Sequence, residues 1–276
     1  MDASELLRQG KLNEALAALQ NQIRNDPANA KLRVFLFQLL CVMGQWDRAL
    51  TQLNTAAGID PKTLLMKEVC QQAVQCEALR KEIFAGKKLP LVFGEPQEWV
   101  GWMIQANQQS AQGHHREAQS LREKALEAAP AVAGHINASA FEWVADADPR
   151  LGPILEAIIE GRYFWIPLAN INQIKIEKPV DLRDVVWAPA NFVWSNGGTA
   201  VGFIPARYPG SEDFNDDGVR LGRKTEWIDQ GGDFQIPVGQ RLFATNEGEY
   251  PILEVRALTL GAPIMPKAER EGAVHG

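Results

Sequence analysis

The chain has 276 residues, a formal net charge of −6 and no lysine- or arginine-rich block, which sets nucleic acid aside as a main partner. Its longest apolar stretch, Leu32 to Met43, is interrupted by Arg33 and Gln38 and is too short to span a bilayer, so no membrane partner is expected. The N-terminus shows neither a basic segment nor an apolar signal core, and Cys41, Cys70 and Cys76 fall in helical stretches without a CxxC pair; a cytoplasmic protein with reduced, buried thiols and no general export is the expectation.

The first half reads as helices over 3–9, 11–25, 28–43, 45–57, 61–85, 96–112 and 114–129. A frame recurs within it as Gly10, Ala15, Pro27, then Gly44, Ala49, Pro61, then Gly113, Ala118, Pro130. The first two copies lie 34 residues apart and the third 69 further on, which leaves room for one degenerate unit. A period of about 34 residues that alternates helix and turn is the signature of tetratricopeptide repeats. The glycine takes the tight turn between antiparallel helices, where a left-handed backbone costs it least. The alanine sits where the helices cross closely. The proline ends the second helix. Trp102, eleven residues before Gly113, falls where the repeat favours tryptophan. Only nine residues precede Gly10, so the first unit is truncated and serves as an end cap. The run from Gly86 to Pro96 breaks the pattern with four turn formers and is expected as an extended loop whose Leu-Pro-Leu-Val-Phe segment packs on the array.

Beyond residue 130 the apolar runs shorten to strand length and glycine, proline and tryptophan become dense. Strands are expected at 135–137 and 140–145 as a hairpin, then at 163–167, 170–177, 184–194, 199–207, 234–244 and 250–260. One helix is expected from Pro153 to Glu160. The fold class is therefore α+β: a tetratricopeptide-like α-α superhelix over 1–130, a β-rich domain over 131–260 and a flexible tail over 261–276.

Residues with possible chemistry are few. Asp146, Asp148 and Arg150, with Glu156 beyond them, allow a paired-carboxylate site for hydrolytic work. The competing reading makes Asp148 the cap of the 150s helix and pairs Arg150 with a nearby carboxylate. Asp213, Asn215, Asp217 and Gly218 open like a calcium loop, but its twelfth position is Lys224, a cation where the ion needs an anion. His114 and His115 are adjacent and make no i, i+4 ligand pair, so no metal and no cofactor is expected. Of Trp165, Trp187, Trp194 and Trp227, at least three are expected in the core. No phosphate-binding loop, dinucleotide fingerprint or GxSxG elbow is present, and no catalytic residue is assigned.

Three strings in the second half resemble a known family. They are Phe141-Glu-Trp143 leading to Asp146-Ala-Asp148-Pro-Arg150-Leu-Gly152-Pro153-Ile-Leu-Glu156; Gly161-Arg-Tyr163-Phe-Trp165-Ile-Pro167 with Asp181-Leu-Arg183-Asp184; and Leu221-Gly222-Arg223-Lys-Thr225-Glu226-Trp227. Together they resemble the ImpE (SciE, TagJ) family of type VI secretion accessory proteins, whose members also open with tetratricopeptide-like helices. The resemblance implies a cytoplasmic, non-enzymatic adaptor that contacts the N-terminal helix of the small sheath subunit and so associates with the unfoldase ClpV. It makes Asp146, Asp148, Arg150, Glu156, Tyr163, Trp165, Arg223, Thr225 and Trp227 signature residues, without a catalytic role for any.

A helical array binds by taking an amphipathic helix into its groove. First-helix positions Val34, Gln38 and Cys41, and Met103, Asn107 and Ser110 in the third copy, are the groove candidates; the alternative places docking on the β-rich half. An enzyme centred on Asp146, Asp148 and Arg150 is the rival class, with a small-molecule sensor using a pocket among the tryptophans as a third.

Overall fold

The computed structural model describes residues 2–95, 97–231 and 234–264. Among the described residues seven α-helices come first: α1 (Ala3–Arg8), α2 (Leu12–Asn25), α3 (Ala30–Val42), α4 (Trp46–Ile59), α5 (Leu64–Phe84), α6 (Glu98–Ala111) and α7 (His115–Ala128). Their turns repeat at the atomic level. Gly10, Gly44 and Gly113 have φ of +75°, +67° and +82°. The N–H after each glycine closes onto the carbonyl five residues back, Lys11 to Leu6, Gln45 to Leu40 and His114 to Gln109, each at 2.9 Å. This is the Schellman closure that the glycine permits. Ala15, Ala49 and Ala118 are fully buried, where a larger side chain would force the paired helices apart.

The degenerate unit is half a repeat. Helix α5 ends on the same closure at Gly86, with Lys87 N–H to Glu82 O at 2.9 Å, but the partner helix is missing. In its place the chain runs extended, and strand β1 (Leu91–Val92) joins the edge of the sheet parallel to β6 (Arg162–Pro167). Of the Leu-Pro-Leu-Val-Phe segment, Val92 packs against the core that the helices share with the sheet and Phe93 against the sheet's other core, while Leu89 and Leu91 stay exposed.

The other strands are β2 (Ala131–Ile136), β3 (Ser139–Phe141), β4 (Val144–Asp146), β5 (Ile154–Ile159), β7 (Ile171–Ile176), β8 (Trp187–Trp194), β9 (Thr199–Pro205), β10 (Thr225–Asp229), β11 (Gln235–Gly239), β12 (Leu242–Thr245), β13 (Gly248–Pro251) and β14 (Ala257–Ile264). A nine-stranded sheet runs β1-β6-β5-β9-β8-β7-β14-β2-β3; β13-β12-β4 and β10-β11 form smaller sheets. A one-turn helix, α8 (Asp217–Arg220), precedes β10.

The structure departs from several expectations. Pro153–Glu160 is not a helix: Ile154–Ile159 is strand β5, paired to β6 along its length and to β9 at its end, and every residue of it is buried. Leu, Glu and Ala favour helix, but a strand buried on both faces reads as a continuous apolar run without alternation. The expected strand 234–244 is two strands, broken where Gly239 takes φ +94°. Thr225–Asp229 is a strand that the mixed charges of that segment conceal. The tail expected at 261–276 begins as ordered β14 up to Ile264, and residues 265–276 lie outside the described residues.

Alternate residues of the sheet feed two cores. Ile154, Ile158, Tyr163, Trp165 and Trp187 pack into one cluster with α1–α7. Leu155, Ala157, Ile159 and Ile166 face a second, shared with β2, β12 and β14. The sheet therefore closes the helical array along one side.

Candidate functional site

The signature residues of the first two strings, from Asp146 to Trp165, gather at a buried ionic network. The strand alternation turns Glu156 toward α5, where Arg80 meets it in a fork, Nε to Oε1 at 2.6 Å and Nη2 to Oε2 at 2.9 Å. Tyr163 donates its hydroxyl to Glu156, and Trp165 donates its indole N–H to Tyr163 Oη at 2.9 Å. From the other side Arg241 binds both Glu156 and Asp146, and its Nε donates to Pro205 O at 2.8 Å. Glu77 completes the helix side, 3.4 Å from Arg80 and accepting from Trp187 Nε1 at 2.8 Å.

Electrostatics follow from burial against pairing. Burial opposes ionisation of Glu156, yet Arg80 and Arg241 outweigh it and hold its carboxyl at about 2. Asp146 is pushed up to about 7 by burial against the pull of Arg241. Burial raises Glu77 as well, with Arg80 opposing it. Burying so many charges is costly unless each is paired and hydrogen-bonded, and here the carboxylates are.

Asp148 does cap, though not a helix. Its carboxylate accepts the Arg150 backbone N–H at 2.9 Å and pairs with the Arg150 guanidinium at 2.6 Å, closing the turn from 148 to 152. Asp146, Asp148 and Arg150 are thus locked together and shut off from solvent, which disfavours a hydrolytic site: a general acid or base must reach its substrate.

The third string clamps the N-terminus. Arg223 donates to Arg8 O at 3.0 Å and Leu7 O at 2.7 Å, at the carboxyl end of α1. Asp217 accepts the Leu12 N–H at 2.9 Å at the start of α2. A cation at a helix C-terminus and an anion at an N-terminus both complement the helix dipole. Thr225 donates to Gln240 O at 2.7 Å, whereas Trp227 is 40% exposed. Trp165, Trp187 and Trp194 are buried. The calcium-like residues are otherwise engaged, Asp213 with Lys81 and Asp217 with Arg220, and among the described residues no cluster of His, Cys, Asp or Glu suits a metal ion.

The groove candidates divide. Cys41, Met103 and Asn107 are buried inside the array, because the sheet covers the side of the helices they face. Burial also pushes the Cys41 thiol well up. Ser110 accepts a hydrogen bond from Arg122. Val34 and Gln38 do line a groove of about 350 Å³ between α3 and α5, with Phe35, Thr63, Met66 and Asp181, although Gln38 is nearly buried and accepts from Leu182 N–H at 3.0 Å. On the other flank of α5, Val69, Gln72, Val201 and Phe203 line a groove of about 290 Å³. The start of α5 exposes Leu64, Leu65 and Val69, Leu65 by 73%, while Val201 is 70% exposed.

Sequence reasoning missed Arg80, Glu77 and Arg241. The first two left a signal: with Cys70, Ala73 and Val74 they keep the three- and four-residue spacing of the buried face of α5. It also missed the exposed Leu64 and Leu65 at the start of α5, because residue type and spacing alone do not tell which apolar side chains of a helix stay uncovered.

Comparison with known proteins agrees with this architecture. A family profile described as ImpE protein matches residues 138–259, and one described as tetratricopeptide repeat matches residues 6–73. The chain is 52% identical over 258 residues to the type VI secretion system accessory component TagJ of Pseudomonas aeruginosa, covering 94% of this chain and 90% of that protein. The crystal structure of protein VPA1032 from Vibrio parahaemolyticus superposes with a TM-score of 0.84 at 27% identity, covering 97% of this chain and 99% of the other. The chain belongs to the ImpE/TagJ family of type VI secretion system accessory components.

Proposed function

We propose that this protein is a non-enzymatic adaptor that captures the N-terminal helix of the small sheath subunit and thereby links the sheath to ClpV-driven recycling. The observation that carries the reading is the cluster of exposed apolar residues at the start of α5, Leu64, Leu65 and Val69, beside the two grooves that Val69 and Met66 line. Contiguous exposed apolar residues mark interaction sites, and a helix with an apolar stripe is the partner that such a ridge and its grooves accept. This moves the docking face from the array interior, which the sheet occupies, to α5 and its flanks, keeping only Val34 and Gln38 of the original groove set. The closed burial of Asp146, Asp148 and Arg150 supports a non-enzymatic role, and a cytoplasmic location follows from the proposed partners. The test is co-purification of the small sheath subunit and ClpV on the tagged protein from cells carrying the secretion cluster. Wild type is expected to retain both and the Leu65→Glu/Val69→Glu variant neither; equal recovery on both proteins would remove the α5 face from the account.

A further inference from the structure

Helix α7 ends the array, with no further helical repeat after it, and a terminal repeat needs a cover for the face its missing neighbour would occupy. A groove of about 520 Å³ lies there, between α7 and the β10–β11 hairpin. Leu126, 51% exposed, and Trp227 line it, with Phe234 beside them. It presents no accessible cation of its own: Arg122 is buried against the Phe234 ring, 4.0 Å from its centroid, and donates to Ser110 Oγ. The open charge is acidic. Glu123 lines the groove and Glu127 stands about one helical turn further on, both exposed. Among the described residues neither makes an ion pair, and like charges four residues apart on a helix repel. Lys124, between them in sequence, lies instead over the Trp102 ring, 3.7 Å from its centroid. The groove therefore suits an occupant that carries cations beside apolar groups.

The chain itself carries such a segment to this place. Strand β14 runs antiparallel to β2 and brings Ile264 opposite Ala131, where the chain has just left α7. Ala131 comes five residues after Leu126, so the two lie at most about 19 Å apart. Twelve residues follow Ile264, Met-Pro-Lys-Ala-Glu-Arg-Glu-Gly-Ala-Val-His-Gly, and can reach up to about 40 Å. Lys267 and Arg270 come three and six residues after Ile264, in the order in which Glu127 and then Glu123 are met going back along α7. A short tether supplies a millimolar effective concentration, so contacts too weak to hold a free peptide suffice. We propose that residues 265–276 dock in this groove of their own chain and cap the array, Lys267 and Arg270 against Glu127 and Glu123 and apolar residues of the segment over Leu126 and Trp227. The contact shares no residue with the α5 grooves and goes beyond the adaptor reading, so either can stand without the other.

The test is paramagnetic NMR on the full chain, with a nitroxide on Ala273→Cys and the Trp227 indole N–H, assigned through Trp227→Phe, as the reporter. The three native cysteines are buried, so the label goes to the introduced thiol. The expected result is strong broadening of the Trp227 signal that does not depend on protein concentration. Lys267→Glu/Arg270→Glu weakens the broadening several-fold, and adding Glu123→Lys/Glu127→Lys to that variant restores it, because the charges are exchanged across the same contact. All four positions lie on the surface or outside the described fold, and an unchanged melting temperature is the control that each variant is folded. Absence of broadening, or broadening that charge reversal leaves unchanged, would overturn the proposal. So would broadening of an isotope-labelled chain by a separate spin-labelled one, which assigns the groove to a second copy.

Discussion

Glu156 sits between two guanidiniums with a tyrosine hydroxyl on it, and no water-exposed route relieves the charges if one is removed. Glu156→Gln leaves Arg80 and Arg241 facing a neutral amide, and breaking a buried pair in this way costs about 3–5 kcal/mol, to be read from urea unfolding. The pH dependence has a definite sign. A carboxyl held at about 2 against its ordinary 4.5 contributes stability that is whole above 4.5 and is lost as pH falls through 2. Wild type should therefore melt progressively lower across that window, and Glu156→Gln should lack that part of the decline. The acids of this network were visible in the sequence as a motif, but not their role. Asp146, Asp148 and Glu156 look alike whether they face a substrate or an arginine, and two of the arginines, Arg80 and Arg241, lie 76 and 85 residues away from Glu156.

Helices and turns were legible because their chemistry is local. Each repeat glycine names its own φ, and each buried alanine its crossing. A substitution at Gly113 meets nothing within 4 Å, so Gly113→Ala carries only the left-handed strain, about 1–2 kcal/mol. At Gly202 a Cβ would lie 2.4 Å from Ile158 O, on the seam between β5 and β9. Backbone cannot yield as a side chain can, and Gly202→Ala should destabilise more than Gly113→Ala when both are compared by thermal unfolding. Strand β5 was misread for the opposite reason. Its identity rests on pairing with β6 and β9, which no window of its own residues encodes. The clamp on the α1–α2 turn is likewise tertiary: Asp217 and Arg223 reach it from over 200 residues away. Arg223→Ala should speed amide hydrogen exchange in α1 with a cost of about 1 kcal/mol, since the side chain is partly in solvent.

At the scale of the molecule, the sheet rather than a bound partner fills the side of the helical array that repeat proteins often leave open. Core residues from α1–α7 and from β5, β6 and β8 form one cluster, so the helices and the sheet are expected to unfold together in a single transition. The α+β class and the repeat period were both readable from spacing, because each depends on local pattern. Which helical face remains free was not, since that depends on where the sheet docks. Three of the exposed apolar side chains that result, Leu64, Leu65 and Val69, fall at the start of α5. Calorimetric titration of the purified full chain with a synthetic peptide of the small sheath subunit's N-terminal helix tests this most directly. The account predicts saturable binding by wild type that falls at least about tenfold in Leu65→Glu/Val69→Glu, a loss expected when an apolar anchor is replaced by a charge, with the melting temperature unchanged. No binding by folded wild type, or undiminished binding by the variant, would contradict it.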